Sequence, residues 1–502
     1  MKERDVEVLV VGGGPAGSTT AALLAKAGFQ VMLLERDHFP RYHIGESLLA
    51  SCHPVLKLSG AFDAVAAHGF TLKRGGLWHW ADDVWVLDWE KLVDPDAWSW
   101  QVDRAEYDEI LLRNATKQGA EVVEGVLVRS IEFDGDRPVA AQVGRVKDLA
   151  DTWRVKFRYL VDASGRAGLL AQQHFQIRRP HDTFQNIAIW GYWKDARLLP
   201  NSPQGAINVV SAPNGWWWSI PLAGNRTSIG LVLHRSRFLD EKKKHGSLEE
   251  FYASCVQGNE LMRQITEGAT YTSPVRVEQD YSYVADRFCG PNYRMVGDSA
   301  CFLDPLLSTG VHLAHFSAVL AAASIAGALR GEVTEDESRS YFEHTFRRAY
   351  IRLLVLVSRL YEDYRGKDEY FRSSERLVDD SARWRDPART FTTITSGMTD
   401  ISELSRADTD ELNRQMVAEA QQSQSERAKS YPKEDRQSLD MTPAWGTWRS
   451  LDGNETRADG LQLVTSPHIG LARVDEAPAR STCPTQDART QPEHDHGQQS
   501  VA

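Results

Sequence analysis

Gly12, Gly14 and Gly17 stand in the spacing G-x-G-x-x-G within Gly12-Gly13-Gly14-Pro15-Ala16-Gly17. Residues without side chains let a pyrophosphate reach the backbone: Gly12 permits a tight turn, Gly14 the close approach, and Gly17 tight helix–strand packing. The neighbouring elements position that loop. Val8-Leu9-Val10-Val11 is an apolar run of the kind buried in a parallel sheet. Ser18–Ala27 reads as a helix, approached through Pro15 and Ala16, whose N-terminus presents a partial positive charge to phosphates. Gly28 ends it, Val31–Leu34 is a second buried strand, and Glu35 falls where an acid binds ribose hydroxyls.

Asp162-Ala163-Ser164-Gly165 and Gly297-Asp298 both close predicted strands, on the side where open α/β sheets bind ligands. Pro305 follows, and Gly310 opens a helix. A carboxylate there can accept hydrogen bonds from a ribityl chain, and a helix N-terminus can stabilise an anionic reduced flavin or a small anion. Behind the glycine loop and in this order, these pieces favour FAD over a nicotinamide.

With 502 residues the chain has room for about three domain-sized units. A net charge of −11 argues against a nucleic-acid surface. Cys52, Cys255, Cys289, Cys301 and Cys483 form no C-x-x-C, which suits a reducing cytoplasm and suggests neither disulfide framework nor zinc site. Phe316–Leu329 is too short and too rich in Ala and Ser to span a bilayer and reads as a buried helix, so no membrane partner is expected. His494 and His496 read as solvated, and no metal is expected.

The expected class is α/β, with a Rossmann-type FAD-binding domain, an antiparallel substrate layer and C-terminal helices. The FAD-binding domain takes residues 1–180 and 275–330, with 75–100 contributing to the substrate side; the antiparallel layer takes 181–274 and the helical region 331–404. Residues 405–502, including Gln421-Gln422-Ser423-Gln424-Ser425, lack periodic apolar residues and read as a disordered tail. Tryptophans crowd Trp78–Trp100, and with Trp190 and Trp193 they suit either an aromatic pocket or core packing.

The sequence resembles the flavoprotein monooxygenase superfamily over about residues 5–330, and within it the flavin-dependent halogenases. The residues that carry this are Phe39-Pro40-Arg41-Tyr42-His43-Ile44-Gly45-Glu46-Ser47-Leu48, Lys73-Arg74-Gly75-Gly76, Trp216-Trp217-Trp218-Ser219-Ile220-Pro221 and Gly297–Leu313. The family signature W-x-W-x-I-P is met by Trp216, Trp218, Ile220 and Pro221. The resemblance implies that Lys73 is the catalytic lysine and that the N–H groups of Thr309 and Gly310 bind chloride. It places Glu46 in a catalytic loop beside the flavin, and Arg36, Arg41, Ser47 and Arg104 with Asp162, Asp298, Pro305 and Gly310 at the FAD. Where the tryptophan-acting branch has a glutamate before a Ser-Thr-Gly-like turn, this chain has Leu306-Leu307-Ser308, with no acid nearer than Asp304. That departure points to the branch acting on phenols and pyrroles, in which the substrate is often tethered to a carrier protein.

The implied activity needs FADH2 from a separate flavin reductase, O2 and chloride or bromide, and gives hypohalous acid that halogenates an aromatic ring in natural-product (antibiotic) biosynthesis. A wall between flavin and substrate must stop direct hydroxylation, and a tryptophan run ending in a rigid Ile-Pro can form it. Lys73 captures the oxidant if an apolar setting keeps its amine neutral. No base for the ring proton is assigned. The competing readings are a single-component aromatic hydroxylase, an isoprenoid double-bond reductase and a non-catalytic flavin module.

Overall fold

The computed structural model describes residues 2–148, 150–212, 215–361, 370, 372, 374–378, 386–404 and 460–473. Its first sheet has the strand order Cys289–Gly290, Tyr293–Met295, Thr152–Asp162, Lys2–Val11, Val31–Glu35, Glu121–Glu124, with a hairpin of Val126–Asp134 and Arg137–Arg145 joined to Thr152–Asp162. Lys2–Val11 lies centrally, parallel to both neighbours. Val8, Leu9 and Val10 are wholly buried, which explains their unbroken apolar run: both sheet faces are covered. The helix Pro15–Lys26 packs between this sheet and the long helix Thr309–Arg330.

The second sheet runs Cys301–Phe302, Arg276–Ala285, Arg178–Lys194, Arg226–His234, Gly215–Leu222, Ile207–Ala212, Gly75–Trp80, Asp83–Asp88. Its neighbours are antiparallel except Ile207–Ala212 beside Gly75–Trp80, which are parallel. The period of two along Gly215–Leu222 turns Trp216, Trp218 and Ile220 to one face. Trp217 faces the other way, into a smaller core with Leu77, Ile189, Phe251 and Tyr252. Helices Arg235–Lys242, Leu248–Gly258 and Glu260–Thr266 cover that core. They interrupt the segment 181–274, expected as an antiparallel layer.

Thr309–Arg330 is the helix among the described residues that is long and apolar enough to cross a membrane, yet nearly all of it is buried in protein. Glu335–Leu360 follows, opened by a capping box of Thr334 and Glu337. Helices Pro387–Thr395 and Met398–Glu403 return to the core. A buried ionic knot holds them there: Arg352 binds Asp400 and Glu403, and Asp400 Oδ2 lies 2.8 Å from His312 Nε2 on the long helix. Every charge in it is paired, the condition under which buried ions are tolerated.

One finding departs from the expected tail. Leu461–Val464 and Gly470–Arg473 form an antiparallel hairpin against the long helix. Leu461, Leu463, Ile469 and Leu471 are buried, and Arg330 Nη1 donates to the Ile469 carbonyl at 2.8 Å. Here Leu461-Gln462-Leu463-Val464 alternates well enough to make a half-buried strand. Cys483, His494, His496 and Gln421–Ser425 lie outside the described residues.

Candidate active site

A cavity of about 790 Å³ opens between the two sheets, within the roughly 300–1,000 Å³ usual for ligand sites. It is lined by Gly12, Gly14, Pro15, Ala16, Glu35, Arg36, Arg41, Glu46, Ser47, Arg104, Asp298, Pro305, Thr309 and Gly310. Trp216, Trp218 and Ile220 line its other side. The three loop glycines do different work. A Cβ on Gly12 would lie 2.2 Å from the Ala163 carbonyl oxygen, and one on Gly17 only 1.9 Å from that of Gly12. A Cβ on Gly14 would meet only Arg41 Nη2, at 3.5 Å, and would point into the cavity. That space, bounded by a guanidinium and a helix N-terminus, fits the pyrophosphate of FAD.

The carboxyl of Glu35 accepts from Gly13 N at 2.6 Å and Asp37 N at 2.8 Å, so it holds the loop as well as lining the cavity. Arg104 grips Asp108 through two bonds of 2.8 and 3.0 Å and donates to the carbonyls of Ile44 and Gly45, fixing the segment that carries Glu46 and Ser47. Burial raises Asp298 to about 6 and Glu46 to about 7. Asp162 must be corrected. Its carboxyl is buried and consumed by Ser164 N, Ser164 Oγ and Leu170 N, so Ala163–Gly165, and not that side chain, face the cavity.

Lys73 lies apart, beside a small cavity of about 30 Å³. It ends the short strand Thr71–Lys73, paired with Ser99–Gln101. The side chain is 1 % exposed. Its Nζ donates to Ser47 Oγ at 2.8 Å and the Leu48 carbonyl at 2.9 Å, and lies 4.8 Å from the centre of the Trp89 ring. Burial pulls the amine from 10.5 down to about 7. Leu49, Trp78, Trp89, Leu306, Leu307, Ser308 and Thr395 are among the other lining residues, and among the described residues no carboxylate lines the cavity. Asp304 faces the larger cavity and is held by Leu306 N, Asn186 and Tyr361.

Ile207 and Ser308 line both cavities. Trp216, Trp218 and Ile220 of the expected wall flank the larger cavity, and Ile207 and Ser308 stand where the two cavities meet. Pro221 lines neither cavity, because the period of two turns it away. Ser308 adopts φ +57° and begins the long helix. The N–H groups of Thr309 and Gly310 thus fall in its first turn, where helix geometry leaves amides without helical partners. Ile207 and Thr395 carry no local signal in the sequence, whereas Ser308 lies in the stretch that carries the family resemblance. Of the tryptophans, Trp78 and Trp89 line the Lys73 cavity and Trp190 the larger one, while Trp193 bonds Tyr252 in the smaller core.

The tryptophan halogenase family model matches residues 7–89 and 86–396. A tryptophan 2-halogenase from Chondromyces crocatus is 43% identical over 407 residues, covering 80% of this chain and 77% of the relative. A sulochrin halogenase from Aspergillus terreus is 36% identical over 373 residues, covering 70% and 68%. The solved structure of the myxobacterial chondrochloren halogenase CndH superposes with a TM-score of 0.67 at 31% identity, covering 83% of this chain and 97% of that one. With the glycine cradle and the two-sheet architecture, these matches place the chain in the tryptophan halogenase family: it is a flavin-dependent halogenase, an oxidoreductase that uses FAD, a halide and dioxygen.

Proposed function

We propose that the protein halogenates an electron-rich aromatic ring, phenolic or pyrrolic, through the amine of Lys73, with FADH2 supplied by a separate flavin reductase. The supporting observation is the setting of Lys73, itself buried and, among the described residues, the one ionisable side chain lining a small, mainly apolar cavity that adjoins the FAD cavity. Bound in its reduced form, FAD activates dioxygen so that chloride or bromide is oxidised to hypohalous acid. The first-turn amides of Thr309 and Gly310 hold the halide at the positive end of the long helix. Ile207 and Ser308 keep a ring from the cofactor while leaving a path for a molecule as small as hypohalous acid.

With Lys73 lowered to about 7, roughly half of its amine is neutral near pH 7. The neutral nitrogen takes the halogen from hypohalous acid, forming N–Cl and releasing water. The ring carbon then takes the halogen, the N–Cl bond breaks, and the ring proton passes to the amine nitrogen. Among the described residues no carboxylate lines the cavity, consistent with that route. The likeness to a tryptophan 2-halogenase supports a pyrrole-type ring, since position 2 of an indole belongs to its pyrrole ring.

The test is Lys73→Ala and Lys73→Arg, assayed by mass spectrometry with free phenols and indoles and with the same groups on a carrier domain. Both variants should bind FAD, and halogenated product should fall by about 100-fold or more, as for loss of an activated nucleophile. Arginine fails because its guanidinium stays charged. Near-parent product from the alanine variant refutes the role of Lys73. Product only with carrier-bound rings assigns a tethered substrate, and product with free rings a diffusible one.

A further inference from the structure

A chain of hydroxyls runs along the wall of the FAD cavity, from buried Glu46 to half-exposed Tyr42, both of which line it. Glu46 Oε1 accepts from Tyr192 Oη at 2.7 Å, Tyr192 Oη lies 3.0 Å from Tyr42 Oη, and Tyr42 Oη accepts from Trp190 Nε1 at 3.0 Å. Glu46 is 3 % exposed, while Tyr42 is 45 % exposed. The hydrogen positions follow from what each group can do. A carboxylate oxygen only accepts, so the Tyr192 hydrogen points to Glu46. The Tyr192 oxygen therefore receives the Tyr42 hydrogen, and the Tyr42 oxygen receives the indole N–H, which only donates. Every hydrogen in the chain points inward. At its inner end Glu46 Oε2 is buried without a hydrogen-bond partner, with the Ser228 hydroxyl beside it but outside good geometry.

We propose that Tyr42, Tyr192 and Glu46 carry solvent protons from the half-exposed side of the FAD cavity to its buried end during halide oxidation. This rests on the family assignment and not on the role of Lys73. The net change, FADH2 + O2 + Cl⁻ + H⁺ → FAD + HOCl + H2O, takes up one proton per turnover. Glu46 gives up the proton on Oε2. Tyr192 replaces it at Oε1, Tyr42 replaces that of Tyr192, and solvent replaces that of Tyr42. A half-turn of the carboxyl, a soft two-fold torsion, and rotation of the hydroxyls reset the chain.

The surrounding charges suit a relay. Arg226, bound to Asp103 at 2.6 Å, faces Glu46 and lies 5.1 Å from the centre of the Tyr192 ring; Arg276 lies 3.9 Å from that of Tyr42. Burial outweighs Arg226 and brings Glu46 to about 7, so near neutral pH it can both give and accept a proton. Burial raises both tyrosines, so they pass protons without resting as tyrosinates.

Tyr42→Phe and Tyr192→Phe each remove one oxygen from the chain. In flavin-free protein, infrared titration of the Glu46 carboxyl, identified by its loss in Glu46→Gln, should give a midpoint near 7. Tyr192→Phe should raise it by removing a donor to the carboxylate, and Tyr42→Phe should leave it in place. In reduced holoenzyme mixed with dioxygen and chloride, proton uptake followed by an indicator dye should slow about tenfold or more in both variants. Phosphate buffer should restore the rate, as it would not for a merely structural defect. Unchanged FAD affinity and melting temperature identify the effect as proton transfer. If Tyr192→Phe does not fold, Tyr42→Phe at the half-exposed end decides alone. Parent-like uptake in the folded variants, or slow uptake that phosphate does not restore, overturns the relay. A parent enzyme that makes no hypohalous acid overturns the family reading instead.

Discussion

The two cavities that meet at Ile207 and Ser308 are built in opposite ways. The FAD cavity is large and lined by glycine backbone, helix N-termini and the guanidinium groups of Arg41 and Arg104. The Lys73 cavity is small, lined by indole rings and leucines, and holds a buried amine lowered to about 7 by that burial. One receives an anionic cofactor by leaving side-chain atoms out and offering backbone donors and guanidinium groups. The other prepares a nucleophile by keeping solvent away from it. Backbone donors and desolvation thus divide the work of one enzyme.

The largest expected effect separates the two cavities. Gly14→Val should reduce FAD affinity by about 100-fold or more, because the new side chain fills the pyrophosphate space. The fold should survive, since a Cβ there meets only Arg41. Fluorescence titration of flavin measures the loss, and normal flavin content would refute the cradle.

A smaller effect probes the Lys73 cavity through stability. Lys73 is lowered from 10.5 to about 7 in the folded protein. Between those values the unfolded chain holds a proton that the folded chain lacks, so this contribution to stability rises with pH and is at its least below the folded value. Lys73→Met removes the cost of the buried amine and loses its bonds to Ser47 and Leu48. The variant should be more stable than the parent by about 1–3 kcal/mol near pH 6, with the gain shrinking towards pH 10. Urea denaturation at several pH values tests this, and a gain independent of pH would contradict a desolvated amine.

The smallest effect on both cavities should come from deleting the hairpin at 460–473. Its four buried apolar side chains pack on the far half of the long helix, so the melting temperature should fall by a few degrees. FAD affinity and product per enzyme should stay at parent values below that temperature. Loss of either would show that the hairpin holds the N-terminal end of the helix.

The same contrast explains what the sequence made legible. The glycine loop, its two strands and its helix are local, so period and spacing revealed them. The period of two also turned Trp216, Trp218 and Ile220 to the FAD cavity. Lys73 is different: its three-residue strand has no distinguishing pattern, and its burial comes from segments near positions 47, 89, 307 and 395, which only tertiary packing brings together. Family resemblance, not residue pattern, singled it out. Asp162 was misplaced because a carboxylate at a strand end serves a turn as readily as a ligand. The hairpin was missed because four alternating residues are a weak signal among Gln, Asp and Pro.

The central claim is that folding turns Lys73 into a neutral amine near physiological pH, and titration of its Nζ tests this most directly. The resonance of isotope-labelled lysine Nζ, assigned by its loss in Lys73→Arg, should shift with a midpoint near 7 in the folded protein. A midpoint near the ordinary 10.5 would leave Lys73 charged and contradict halogen transfer through its nitrogen.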